Sequence, residues 1–173
     1  MSVEHPIYVF DADILRSFAV VNRLDVLEHR YGRRARITIE VREELAAALQ
    51  YEPTLGAVLA ADSLFPPERS FAVDEIERIR LRLGGRSRDR RHLGEAASIQ
   101  VALEQGWTFA TDDRDATRIA RALGVATIST PAILRVCAAD GMISSAEAYA
   151  LVNEMREVHG RGLPSVERSY FDP

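Results

Sequence analysis

IYVFDADIL, residues 7–15, is the most informative segment of this 173-residue sequence. Its first four residues are aliphatic or aromatic, which is typical of a buried strand. Asp11 follows directly and Asp13 comes two residues later, and apolar residues then recur at helical spacing over about 13–30. A strand that ends in acidic residues and leads into a helix predicts the beginning of an α/β fold.

The rest of the chain continues this alternation of strands and helices. Further strands are predicted at 37–39, 107–110 and 125–128, with a weaker candidate at 70–73. Predicted helices cover about 40–50, a stretch from Pro53, 74–83, 92–105, 113–123, a stretch from Pro131, and 144–158. The pattern predicts an α/β fold with a central parallel sheet. We expect a single domain over 1–159 and, over 160–173, a C-terminal tail or docking arm without periodicity.

Composition excludes several classes of protein. The single cysteine, Cys137, lies among apolar residues and cannot form an internal disulfide. The four histidines lack the spacing of a zinc site, and no glycine-rich phosphate loop is present. No apolar run approaches the roughly 18 residues of a membrane span, and the N-terminus has no signal-peptide pattern. We therefore expect a cytoplasmic protein without membrane association.

The basic residues are unevenly distributed. All 22 are arginine, and seven of them fall within residues 78–91, which we call the arginine segment and which contains one acid, Asp89. The rest of the chain is acidic, since the formal net charge of the whole is −4. A basic segment on an acidic body is a candidate contact for phosphate groups.

Acidic residues gather where the predicted strands end, at Asp11, Asp13, Glu40, Asp112 and Asp113. In parallel α/β sheets the carboxyl ends of the strands meet at one edge, so these side chains should converge. Two carboxylates about 4 Å apart repel by roughly 4 kcal/mol at an effective dielectric of 20. A cluster of them without lysine predicts a hard cation, Mg²⁺ or Mn²⁺.

Helical periodicity adds further candidates. Glu95 falls within the apolar side of the predicted helix 92–105, where a carboxylate should be paired or serve a site. In the helix 40–50, Glu44 lies closest to the apolar side, Glu40 is next and Glu43 points away. The choice among these three glutamates stays open.

Several short motifs, in this order and spacing, resemble those of the PIN-domain nucleases. Tyr8 to Leu15 resembles the family's opening strand with its first acid, and Ile37-Thr38 followed by Glu44-Leu45 resembles the strand and helix that carry the second. Leu93-Gly94-Glu95-Ala96-Ala97 is similar to the third-acid helix of a branch with Gly-Glu-Ala. Ala110 to Asp115 is similar to the Thr-x-Asp-Arg-Asp signature, which aligns Asp113 with the fourth acid, and Gly124 to Leu134 resembles the last strand and helix.

The resemblance implies a three-layer α/β/α fold and a Mg²⁺- or Mn²⁺-dependent endoribonuclease. It also implies a VapC-like toxin of a toxin-antitoxin pair, a homodimer, and an antitoxin protein as partner. The catalytic residues would be Asp11, Glu44, Glu95 and Asp113, and the metal ligands Asp11, Glu95, Asp112 and Asp113. Supporting roles fall to Asp13, Glu40 and Thr111, and contacts to the RNA substrate to Arg86, Arg88, Arg90, Arg91, Arg114 and Arg118.

Two alternatives remain at this point. Asp11 and Asp13 also resemble the nucleophile and general acid of haloacid-dehalogenase-type phosphatases, with Asp112-Asp113 as the metal-binding doublet. Leu15 and the absence of lysine argue against this class, because a hydroxyl and a lysine are usual there. The other alternative is a non-catalytic PIN-like subunit that binds RNA or an antitoxin. Loss of the acids would be its signature, and all four acid positions are filled.

Overall fold

The architecture is a five-stranded parallel sheet with helices on both faces. The computed structural model describes residues 6–61, 65–86, 90–159 and 163–172. Within these residues the strand order is β3-β2-β1-β4-β5, and every strand pair is parallel. The strands are β1 (Tyr8–Phe10), β2 (Ala35–Thr38), β3 (Pro67–Glu68), β4 (Thr108–Ala110) and β5 (Thr127–Ile128). The predicted parallel sheet is confirmed.

Helices connect the strands and cover the sheet. They are α1 (Ala12–Val20), α2 (Leu24–Tyr31), α3 (Ile39–Ala48), α4 (Leu55–Ala60), α5 (Val73–Arg82), α6 (Leu93–Gln105), α7 (Arg114–Ala122), α8 (Thr130–Ala139) and α9 (Ser145–His159). Short 3₁₀ helices span Gly32–Arg34 and Arg168–Phe171. In the described part of the chain, none of the helices is both long enough and apolar enough to cross a membrane.

The sheet separates two hydrophobic cores. Phe10 belongs to one core with α1, α2, α8 and α9, whereas Val9 belongs to the other with α5, α6 and α7. These neighbours in β1 are both fully buried and point to opposite faces, as the alternation of side chains along a strand requires. A strand buried on both faces defines the middle layer of a three-layer α/β/α fold, as predicted.

The structure corrects two predicted elements. The helix expected over 13–30 is two helices, because Asn22 adopts a left-handed conformation (φ 53°) between α1 and α2. Within the described range 65–86, no strand forms at 70–73, where one was expected. The strand β3 lies earlier, at Pro67–Glu68, and α5 begins at Val73. Pro67 is tolerated because β3 is an edge strand, where a missing N–H leaves no ladder bond unmade.

The described part of the predicted tail packs onto the body of the domain. Phe171 is 2% exposed and belongs to the core that contains α8 and α9. The Ser145 hydroxyl donates to the Phe171 carbonyl at 2.8 Å, which fixes the segment against the start of α9. Residues 163–172 therefore contribute to the hydrophobic core.

Candidate active site

Asp11 lies at the carboxyl edge of the sheet, between β1 and α1. Its Oδ1 accepts a hydrogen bond from the Ala12 amide at 2.7 Å, so it caps α1 as well as ending the strand. Its Oδ2 accepts from the Thr111 hydroxyl at 3.0 Å, across the β1–β4 pair. The residue is 4% exposed. The sheet thus holds one carboxylate in a fixed orientation at the centre of this edge.

Other carboxylates surround Asp11. Burial raises the pKa of Asp11 well above its usual value, and the charges of Glu95, Asp13 and Glu44 raise it further. The Thr111 hydrogen bond lowers this pKa but does not offset the rise. Of the four acids expected to be catalytic, Asp11, Glu44 and Glu95 therefore interact here, together with Asp13.

Glu44 is the glutamate of α3 that the structure brings to Asp11. Arg16 holds it, with Nη1 at 3.1 Å from both Glu44 Oε1 and Asp13 Oδ1. Burial raises the pKa of Glu44, Arg16 lowers it, and Glu95 raises it again. Glu44 therefore interacts with the guanidinium of Arg16 and with the carboxylate of Glu95.

The two other glutamates of α3 have different surroundings. Glu43 forms an ion pair with Arg90. Glu40 faces the cavity described below, and its Oε2 is buried without a hydrogen-bond partner among the described residues. The geometry thus favours Glu44 as the second acid.

Glu95 reaches the cluster from the first turn of α6. Its Oε1 lies 3.3 Å from Nδ1 of His92, which precedes the helix in a left-handed conformation (φ 61°). A Cβ at Gly94 would lie 3.1 Å from Glu44 Oε2 and 3.2 Å from Val41 Cγ2. The missing side chain at Gly94 therefore allows α3 and α6 to approach closely enough to place Glu44 beside Glu95.

Asp112 and Asp113 are neighbours in sequence but make different contacts. Asp112 is 7% exposed, and its two carboxylate oxygens accept hydrogen bonds from the amide and the hydroxyl of Thr130 at 2.7 and 2.6 Å. Asp113 is exposed and caps α7, with Oδ1 accepting from the Ala116 amide at 2.6 Å. The Asp113 amide donates to the Thr111 hydroxyl at 3.2 Å. Thr111 therefore connects Asp113 to Asp11, while Asp112 connects β4 to the start of α8.

A cavity of about 640 Å³ adjoins the carboxylates. Glu40, Glu43, Glu44 and Glu95 line it together with Arg90, Arg91 and His92. Its lining therefore joins Glu44 and Glu95 of the candidate site to the end of the arginine segment.

The predicted RNA-binding arginines lie in different environments. Arg88 lies outside the described residues. The Arg86 carbonyl accepts a hydrogen bond from Arg80, which is 3% exposed and forms an ion pair with Glu77 at 2.7 Å. Arg80 belongs to the arginine segment, but its buried side chain stabilises the fold. On α7, Arg114 and Arg118 are exposed, and Arg118 lies 3.0 Å from Asp115.

Two participants were not predicted from sequence. Arg16 connects Asp13 to Glu44, and its position one helical turn after Asp13 was a usable signal for the first of these ion pairs. His92 contacts Glu95 from three residues away, although the histidines showed no metal-type spacing. No sequence pattern indicates the contact between Arg16 and Glu44, because they are 28 positions apart.

The donor set suits a hard divalent cation. In the ranges of the chain that the structure describes, no three His, Cys, Asp or Glu side chains stand at the spacing of a shared metal site. Arg16 and His92 contact these acids, but the charged oxygen donors near Asp11 are carboxylates. Burial raises the pKa of Asp11 and of Glu44, and neighbouring carboxylate charges raise both further. Oxygen donors whose negative charges repel one another are a chemical fit for Mg²⁺ or Mn²⁺.

The fold and this acidic edge define a class of protein. A family model, DUF3368, described as a PIN domain, matches residues 7–166. The chain belongs to the PIN domain family, whose members are generally metal-dependent nucleases. The crystal structure of PAE2754 from Pyrobaculum aerophilum has a similar fold, with a TM-score of 0.55 and 21% identity over 77% of this chain and 98% of that chain. No curated protein is significantly similar in sequence.

Proposed function

We propose that this chain is a Mg²⁺- or Mn²⁺-dependent endoribonuclease, the VapC-like toxin of a toxin-antitoxin pair. The observation that carries the proposal is Asp11, a buried carboxylate held by Thr111 and surrounded by the charges of Glu95, Asp13 and Glu44. Asp11 is the buried member, and placing further like charges around a buried carboxylate is costly unless a cation offsets them. This arrangement favours a role in binding a cation.

In this proposal Asp11, Glu95 and Asp113 hold the cation. When bound, a divalent cation polarises the scissile phosphate and lowers the pKa of an attacking water. The Thr111 hydroxyl donates a hydrogen bond to Asp11 and accepts one from the Asp113 amide. It therefore sets the distance between these two residues. Glu44 faces the cavity and is oriented by Arg16, which suits it to accept the proton of the attacking water.

Asp112 was expected to be a metal ligand. In this proposal it instead connects β4 to the start of α8. Both of its oxygens already accept hydrogen bonds from Thr130, at the first residue of α8. Asp13 and Glu40 remain supporting residues, because Asp13 is paired with Arg16 and Glu40 lines the cavity.

The proposed RNA path runs along the cavity. Arg90 and Arg91 line it beside Glu95, where they would contact the phosphates on either side of the scissile bond. Arg86, Arg114 and Arg118 extend this contact in the proposal, together with Arg88. A homodimer and an antitoxin protein as partner are part of the same proposal and rest on the family resemblance.

A cleavage assay tests the function. Single-stranded RNA would be incubated with the protein in Mg²⁺, Mn²⁺ or EDTA, and a phosphomonoester would be tested in parallel. Asp11→Asn should lower the rate at least about 100-fold, because losing a metal ligand removes several kcal/mol of transition-state stabilisation. Asp74→Asn, an exposed aspartate in the first turn of α5, is the matched control and should cleave like the wild type.

Four results would contradict the proposal. Cleavage in EDTA, or cleavage retained by Asp11→Asn, would reject the metal-dependent mechanism. Turnover of the phosphomonoester would favour the haloacid-dehalogenase-type alternative. RNA binding without cleavage under any of these conditions would favour a non-catalytic subunit.

A further inference from the structure

A second cavity, of about 540 Å³, lies at the opposite end of the sheet. Its lining consists of Pro6, Ile7, Arg33, Arg34, Gln105, Gly106 and Trp107. Ile7 precedes β1 and Trp107 precedes β4, whereas Asp11 and Thr111 follow these strands. At about 3.3 Å per strand residue, the two sites are roughly 10 Å apart or more. This cavity is therefore distinct from the carboxylate edge.

The lining is positively charged and aromatic. Among the described residues no carboxylate lines this cavity, although the chain as a whole carries a formal charge of −4. Arg33 is exposed, and no ion pair of its guanidinium is found among these residues. A third guanidinium, that of Arg36, lies 5.9 Å from the centre of the Trp107 ring, but it is paired with Glu68 at 3.1 Å. The charge available to a ligand is therefore that of Arg33 and Arg34. Cations and an aromatic surface together attract a planar anion.

The walls of the cavity are fixed by backbone contacts. The Trp107 amide donates to the Ala102 carbonyl at 2.9 Å, which ends α6 through Gly106 in a left-handed conformation (φ 68°). On the other wall, Arg34 Nη2 donates to the Arg30 carbonyl at 2.6 Å. A preformed cavity costs little ordering on binding.

We propose that this cavity binds a nucleotide, with its base against Trp107 and its phosphate on Arg33 and Arg34. The size suits such a ligand, since small-molecule sites span about 300–1,000 Å³. An indole provides a stacking surface for a base, and arginine matches phosphate through two parallel hydrogen bonds. Either a free mononucleotide or one nucleotide of a single-stranded RNA offers this chemistry. The proposal does not depend on catalysis at the carboxylate edge.

Trp107 is the one tryptophan of the chain, so its fluorescence reports directly on this cavity. Asp11→Asn protein, in EDTA to prevent cleavage, would be titrated with AMP, UMP, a short single-stranded RNA and inorganic phosphate. We expect saturable quenching by a nucleotide or by RNA. In this background, adding Arg33→Gln should weaken binding about tenfold, because one charge-assisted contact is lost. Adding Arg156→Gln instead, at an exposed arginine of α9, should leave the affinity unchanged.

The outcomes separate the sources of the ligand. Quenching by mononucleotides supports a free-nucleotide site, and quenching by RNA alone supports a contact to one unit of a longer strand. The proposal is overturned if neither quenches, if Arg33→Gln and Arg156→Gln bind equally, or if inorganic phosphate gives the same signal at the same concentration. An Arg34→Gln variant, with its unfolding midpoint checked, repeats the test on the second arginine.

Discussion

At the scale of single residues, Asp11 affects stability in two opposing ways. It caps α1 and accepts the Thr111 hydrogen bond, which stabilises the fold. Its charge is also buried beside those of Glu95 and Asp13, which destabilises the fold when no cation is bound.

Asp11→Asn should therefore stabilise the metal-free protein. We expect the free energy of unfolding at neutral pH in EDTA to rise by about 1–3 kcal/mol, because the amide keeps the shape without the charge. Denaturant unfolding measures this, with Asp74→Asn as the control that should not change. A less stable Asp11→Asn variant would mean that its hydrogen bonds outweigh the repulsion.

Asp112 predicts a pH dependence of stability. Burial raises its pKa from 3.8 to about 6, although the hydrogen bonds from Thr130 lower it. Between these values the folded state retains a proton that the unfolded state has released, so this contribution to stability is present at low pH and is lost as the pH rises through about 6.

The comparison with Asp112→Asn isolates this effect, since asparagine does not titrate. From about pH 7.5 to about pH 5 the wild type should gain roughly 1.4 kcal/mol of unfolding free energy relative to the variant. Denaturant unfolding of both proteins at the two pH values, in EDTA, measures the difference. A constant difference between them would show that Asp112 is ionised throughout this range.

At the scale of elements, the contact between α3 and α6 depends on Gly94. In Gly94→Ala the new Cβ would meet Glu44 Oε2 at 3.1 Å and displace that carboxylate. Alanine favours a helix over glycine by about 1 kcal/mol, which offsets the crowding. We therefore expect little change in the unfolding midpoint but a slower metal-dependent cleavage of RNA.

Gly56→Ala in α4 is the matched control for this substitution. Among the described residues, its Cβ would meet only Leu49 Cδ1, at an ordinary 3.8 Å. It should gain stability of up to about 1 kcal/mol and leave cleavage unchanged. Equal cleavage by the two variants would remove the proposed role of Gly94 in placing Glu44.

The elements also show what a sequence pattern can and cannot predict. Val9 and Phe10 lie in a strand buried on both faces, so β1 is clear from local composition. The break at Asn22 is not visible in the sequence, because the apolar spacing continues from α1 into α2 across a single left-handed residue. The stretch 70–73, expected as a strand, contains Phe71, which is 84% exposed, and β3 forms instead at Pro67–Glu68 through its pairing with β2.

At the scale of the whole molecule, the C-terminal segment completes a core. Phe171 is 2% exposed and lies 5.3 Å from Tyr170 and 6.5 Å from Tyr149, measured between ring centres. Phe171→Ala should therefore lower the free energy of unfolding by about 3–5 kcal/mol. Phe71→Ala, at a residue that is 84% exposed, is the control and should change it by less than about 0.5 kcal/mol. Similar losses in both variants would contradict the packing of this segment.

The topology explains why the acids could be predicted and their partners could not. Parallel strands place every strand end at one edge, so Asp11 and Asp113 were grouped from their positions after strands, whereas Glu44 was chosen from helical periodicity. The contact of Arg16 with Glu44 and that of Asp112 with Thr130 join residues far apart in the chain. Such contacts depend on how helices pack over the sheet, which local patterns do not encode.

The carboxylates around Asp11 should bind a divalent cation. A calorimetric titration with Mn²⁺ tests this binding most directly, using the wild type, Asp11→Asn and Asp74→Asn. We predict saturable binding by the wild type and by Asp74→Asn, displacement by Mg²⁺, and affinity at least about tenfold weaker in Asp11→Asn. No binding by the wild type, or equal binding by Asp11→Asn, would contradict the claim.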